Sequence, residues 1–141
     1  MSSDPEPTPQ NPAPITQWAE SYARAWVERD PGAAADLFTD DATYRSFIFD
    51  EPHVGRDGVR SYWSEVTATQ DEVQVTMGRP IVDGPRAAVE FWTTMENSGE
   101  EVTLVGCLLL TFDDNGRCRS LNEYYEFAQG RLDPPDDWGA L

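Results

Sequence analysis

Apolar positions along the chain change period once. Trp18, Tyr22, Ala25 and Trp26 recur at helical spacing, so a first helix is expected, capped by Thr16 and stopped at Asp30-Pro31. Pro31 can start a second short helix with Ala34, Leu37 and Phe38 on its buried face. Ala42–Phe49 reads as a strand, and His53-Val54 as a short return strand. A third helix follows, with Val59, Tyr62, Trp63 and Val66 in one stripe.

From residue 71 the period shortens. Four long strands are expected at Val73–Val82, Ala87–Glu96, Val102–Phe112 and Arg117–Phe127. Asp83-Gly84-Pro85, Asn97-Ser98-Gly99-Glu100 and Asp113-Asp114-Asn115-Gly116 supply the turns. Helices first and antiparallel strands last give an α+β domain over residues 15–128. Residues 1–14 read as a disordered Pro-rich tail, and 129–141 as a Pro- and Asp-rich tail whose Trp138 can fold back.

Hairpin arithmetic separates the two faces of the sheet. A turn at Asn97–Glu100 sets Met95 against Val102, Thr93 against Leu104, Phe91 against Gly106 and Val89 against Leu108. These share one mostly apolar face. Glu90, Trp92, Glu96 and Thr103 share the other, where Trp92 invites self-association. Pairing Phe112 with Arg117 places Leu108 opposite Leu121 and Gly106 opposite Glu123. The register of the strand from Val73 stays open between two alternatives. The inner face should therefore bind a small hydrophobic molecule, lined by Val89, Phe91, Met95, Leu104, Leu108, Leu121 and Tyr125, with Tyr44 and Ser46 from the first strand and Trp63 from the third helix.

Composition narrows the possibilities. The 141 residues are 39% hydrophobic and carry a net charge of −16. Such acidity keeps the protein soluble and argues against nucleic acid and anionic membranes as partners. No stretch is apolar enough to span a bilayer, and the start does not resemble a secretion signal, so a cytoplasmic location is expected. All ten cations are Arg, which excludes a lysine Schiff base. Cys107 and Cys118 should lie too far apart for a disulfide. One His and scattered carboxylates give no metal-ligand spacing, and no Gly-rich phosphate loop is present, so neither metal nor cofactor is expected.

Three side chains carry candidate chemistry. Glu123 is a carboxylate on the apolar face; burial would raise its pKa and suit it to acid/base work, whereas a wet mouth or pairing with Arg45 or Arg119 would leave it ordinary. His53, the single histidine, belongs to the residue type that exchanges protons near neutral pH. Tyr22 can donate to a carbonyl oxygen.

Taken in order, Tyr22-Ala-Arg-Ala-Trp26, Asp30, Leu37-Phe38, Asp40-Asp41-Ala42-Thr43-Tyr44, Gly55-Arg56, Tyr62-Trp63, Phe112-Asp113, Asn115-Gly116-Arg117 and Tyr124-Tyr125 resemble the nuclear transport factor 2 superfamily, in its SnoaL-like and ketosteroid-isomerase-like branch. The resemblance covers roughly residues 16–128. It implies a cone-shaped α+β barrel, a curved sheet wrapped around three helices with a pocket inside, often homodimeric through the sheet's outer face. It implies no single activity. Tyr22 matches the tyrosine that donates to the oxyanion in ketosteroid isomerases. Their two acids fall on Ser46 and Leu108, so that mechanism is not expected. The Arg-Asp-Asp set of the related epoxide hydrolases is not evident. The resulting expectation is a cofactor-free isomerase, cyclase or dehydratase acting on a carbonyl compound through Glu123, Tyr22 and His53. The alternative is a non-catalytic ligand-binding or dimerisation module.

Overall fold

The computed structural model describes residues 12–139. Helix α1 spans Pro12–Glu28, α2 Pro31–Ala35 and α3 Gly55–Thr67. The strands are β1 Phe38–Arg45, β2 His53–Val54, β3 Gln70–Met77, β4 Ile81–Asp83, β5 Arg86–Asn97, β6 Glu100–Phe112 and β7 Cys118–Gln129. They form one curved, unclosed sheet in the order β2-β1-β7-β6-β5-β3, with β4 also on β5. The architecture is α+β, and it contains one parallel pair, β1 with β7. The expected N-terminal tail falls mainly on residues 1–11, outside the described residues.

Local chemistry explains where the elements differ from expectation. Helix α1 begins at Pro12 rather than beside Thr16, because proline suits a first helical turn. Helix α2 is capped by Asp30, whose carboxylate accepts from Ala33 N at 3.0 Å. It ends at Ala35, so Phe38 is the first residue of β1 and not a helical residue. Strand β1 accordingly starts and stops four residues earlier than the expected Ala42–Phe49. The strand expected at Val73–Val82 is two strands, broken at Gly78-Arg79-Pro80. Both pair with β5: Val75 opposes Thr93, and Asp83 opposes Arg86 around a two-residue turn.

The β5–β6 register is the one the turn arithmetic gives, with Val89 on Leu108 and Met95 on Val102. The β6–β7 register differs by two residues. Leu108 faces Glu123, Gly106 faces Tyr125, and Leu121 faces Leu110. Cys118 faces Phe112 rather than Thr111. The loop holds one more residue, because Asp113 accepts from both Asn115 N and Arg117 N at 2.9 Å. A bulge at Arg119 adds the second slip. Two single slips restore parity, so Leu121, Glu123 and Tyr125 still face inward. Both cysteines are free.

The core lies between α1, α3 and the inner face. Trp18, Tyr22, Trp26, Phe38, Trp63 and Phe91 pack mostly edge-to-face at centroid distances of 5.2–6.4 Å. Arg56 ties α3 to β1, donating to the Phe38 carbonyl at 2.8 Å and pairing with Asp40 at 2.7 Å.

The chain's own tail crosses part of the outer face, around Trp92 and Thr103. Thr103 donates to Gly130 O at 2.6 Å and accepts from Leu132 N at 3.0 Å. Trp92 Nε1 donates to Leu132 O at 2.8 Å, and its ring meets Trp138 edge-on. Trp92 is therefore partnered within the chain, which removes it as an argument for self-association. No helix among the described residues is long and apolar enough to cross a membrane.

Candidate functional site

Two helices and several strands line a cavity of about 300 Å³. Helix α1 brings Tyr22 and Trp26, four residues apart on one face. Helix α3 brings Tyr62, Trp63 and Val66. Strands β6 and β7 bring Leu104, Glu123 and Tyr125, and the end of β1 brings Tyr44. The corner from α3 to β3 adds Thr67, Thr69 and Gln70, and Asn97 completes that side.

Glu123 dominates the electrostatics. Its residue is 8% exposed, and among the described residues it makes no side-chain hydrogen bond and no ion pair. Arg45 instead reaches the Asp50 carbonyl. Burial alone pushes the carboxyl up to about 8. At neutral pH the protonated form predominates, beside a minor ionised fraction.

The Trp63 ring lines the cavity, but its indole nitrogen is fully buried and has no acceptor among the described residues. Leaving such a group unmet costs about 1–3 kcal/mol. The Tyr22 and Tyr44 hydroxyls are 2.9 Å apart. Two hydroxyls sharing one hydrogen bond leave one O–H free. Burial, then the neighbouring Glu123 charge, holds Tyr22 well above the usual phenol range, with Tyr44 opposing. Tyr44 is raised by burial and by Tyr22. Tyr62 is pushed up to about 12 by burial, partly offset by the Ser46 hydroxyl. All three phenols therefore stay neutral donors.

Of the expected site residues, Glu123, Tyr22, Tyr44, Trp63, Leu104 and Tyr125 line this cavity. Val89, Phe91, Met95, Leu108 and Leu121 face inward but lie fully buried in the packed core behind the wall. They fail to reach the cavity because aromatic side chains from α1 and α3 fill the space over the centre of the sheet. His53 stacks on the far side of Tyr62 at 4.3 Å between centroids and does not line the cavity. Ser46 is buried just past β1 and opens onto a neighbouring surface groove, which Phe47, Glu123 and Tyr125 share with the cavity.

Sequence reasoning missed Trp26, Phe47 and Gln70. Trp26 was legible, lying one turn from Tyr22 on the same stripe. Gln70 was not, because nothing in a polar residue at a helix-to-strand corner announces that its side chain turns inward. Among the described residues, no group of three His, Cys, Asp or Glu side chains could hold a metal ion.

The fold recurs in solved structures. A protein of Catenulispora acidiphila DSM 44928, with a ketosteroid isomerase-like fold and in complex with trimethylamine, is 21% identical over 78% of this chain and 85% of its own, with a TM-score of 0.71. SalBIII, an epoxide hydrolase/cyclase-like enzyme of pyran ring formation in the polyether salinomycin, is 21% identical over 85% of this chain and 98% of its own, with a TM-score of 0.74. A putative SnoaL-like polyketide cyclase of Shewanella denitrificans OS-217 is 16% identical over 79% and 89%, with a TM-score of 0.68. At these identities the likeness establishes the fold alone. No curated protein matches the sequence. The SnoaL-like domain family matches residues 19–121, and the chain belongs to that family.

Proposed function

We propose that the cavity binds a small, largely apolar carbonyl compound and that Glu123 moves a proton on the carbon beside that carbonyl. The observation that carries this reading is the meeting of one partnerless carboxyl with the Tyr22–Tyr44 hydroxyl pair in a single cavity. With Tyr44 as the donor of their shared hydrogen bond, the free O–H is that of Tyr22, and it donates to the carbonyl oxygen. As the ionised form of Glu123 takes the α-proton, the C–H electron pair becomes the enolate double bond and negative charge collects on that oxygen. Return of the proton to another carbon of the conjugated enolate completes an isomerisation. Attack of the enolate carbon on a second carbonyl of the same molecule, with the proton going to the alkoxide so formed, completes a cyclisation. Neither needs a cofactor. His53, behind Tyr62, acts at most by positioning that ring. The epoxide hydrolase/cyclase-like and polyketide cyclase-like neighbours are compatible with acid/base work in such a cavity.

The test needs no knowledge of the natural substrate. Benzylacetone in D₂O exchanges its α-hydrogens for deuterium, which proton NMR follows directly. The protein is expected to accelerate exchange, and Glu123→Gln to abolish the acceleration while circular dichroism stays native. A Glu123→Gln protein that exchanges as fast as the parent overturns the proposal.

A further inference from the structure

The cavity has a second polar end. Gln70 is 8% exposed and lines the cavity on the side of the α3-to-β3 corner. Its amide orientation is fixed by chemistry. An indole N–H can only donate, and Trp26 Nε1 lies 2.9 Å from Gln70 Oε1, so the oxygen must face Trp26. That leaves the NH₂ group as the polar end available to the cavity. Among the described residues it has no acceptor.

The backbone beneath Gln70 is clamped. Arg29 donates to the Gln70 carbonyl at 2.7 Å and pairs with Asp71 at 2.8 Å. Beside it, Thr69 Oγ1 donates to Asn97 Oδ1 at 2.7 Å, and both residues line the same end. Gln70 is thus held in place with a donor unspent. Purely apolar contents would leave that donor without a partner in the cavity.

We infer that Gln70 is a specificity-determining residue and that the ligand class is a bifunctional one: an apolar body with a reacting carbonyl at one end and a second hydrogen-bond acceptor, a carbonyl or ether oxygen, at the other. This rests on the carbonyl reading of the Glu123 end. Gln70 selects the longer, doubly oxygenated molecule by meeting its distal oxygen.

The test compares benzylacetone with para-acetylbenzylacetone, which adds a distal acetyl group and with it a second carbonyl, by calorimetric titration of the full chain. The parent is expected to bind the second probe roughly fivefold more tightly, the worth of one net hydrogen bond. In Gln70→Met, which keeps the length of the side chain but has no donor, the ratio of the two dissociation constants should fall to near one. A second measurement on the parent guards against a misfolded variant: the Gln70 side-chain ¹⁵N–H resonances should shift with the diketone and not with benzylacetone. Equal affinities in the parent, a preference that survives in Gln70→Met, or unmoved Gln70 resonances would each overturn the inference. If benzylacetone binds and exchanges but the diketone gains nothing, the Gln70 inference fails and the proposed function stands. If neither probe binds, both fail.

Discussion

At the scale of single residues, the unusual feature is a carboxyl without a partner. A carboxyl displaced from about 4.5 to about 8 has consequences for stability as well as chemistry. The folded state holds the proton more tightly than the unfolded chain. Below pH 4.5 both states are protonated and nothing is lost. Between 4.5 and 8 the unfolded chain ionises first, so the contribution of Glu123 becomes steadily less favourable, then levels off. Glu123→Gln should therefore unfold like the parent at pH 4 and gain stability on the order of a few kcal/mol at pH 9, measured by urea denaturation. A gain of equal size at both pH values would contradict this. The donors make a separate prediction. Tyr22→Phe should weaken benzylacetone binding by about fivefold, the loss of one net hydrogen bond. His53→Asn, which alters a ring packed behind Tyr62, should change α-hydrogen exchange less than Tyr22→Phe does.

At the scale of elements, the position of Glu123 depends on how β7 meets β6. Turn signals in the sequence identified the hairpins and their faces, since Asn97-Ser98-Gly99-Glu100 leaves little freedom in loop length. The β6–β7 loop was less legible. Asp113 closes it through side-chain bonds to two backbone amides, and the bulge at Arg119 has no composition signal of its own. Only because the two slips cancel does Glu123 point inward. Deleting Arg119 should remove the bulge while keeping Leu121 opposite Leu110 and Glu123 opposite Leu108, so Glu123 stays inward, and Arg119→Ala should leave the melting temperature within a few degrees. Gly106 marks a second tight point. A Cβ there would collide with the Tyr124 carbonyl oxygen and come within 2.6 Å of Tyr125 Cβ. Gly106→Ala is expected to lower the melting temperature markedly and displace Tyr125 from the cavity wall, visible by near-ultraviolet circular dichroism. Residues at closed core positions were predicted as wall because strand alternation tells which face a side chain takes, not how far neighbouring helices fill the space above it. Val89 and Leu121 share the face of Glu123 but lie beneath aromatic side chains of the helices.

At the scale of the whole molecule, the tail from Gly130 belongs to the fold. Arg131 reaches Glu101, Thr94 and the Glu72 carbonyl, and Trp138 closes over Trp92. The sequence suggested that Trp138 could return, but an isolated aromatic in a Pro- and Asp-rich run does not say which face it covers. Trp138→Ala should uncover Trp92, reduce stability by about 1–2 kcal/mol and raise the tendency to self-associate, read by sedimentation velocity. Unchanged sedimentation together with unchanged stability would show that the strap contributes nothing in solution. The net charge of −16 opposes association of copies at low salt, so any such self-association should strengthen as ionic strength rises.

The account turns on the ionisation of one side chain, and a carbon-13 NMR titration of the Glu123 side-chain carboxyl reads it directly. The midpoint is expected near pH 8, and benzylacetone should perturb the resonance. A midpoint at the ordinary value near 4.5, unmoved by the ketone, would mean that Glu123 is a solvated surface carboxylate and that the cavity holds no poised acid or base.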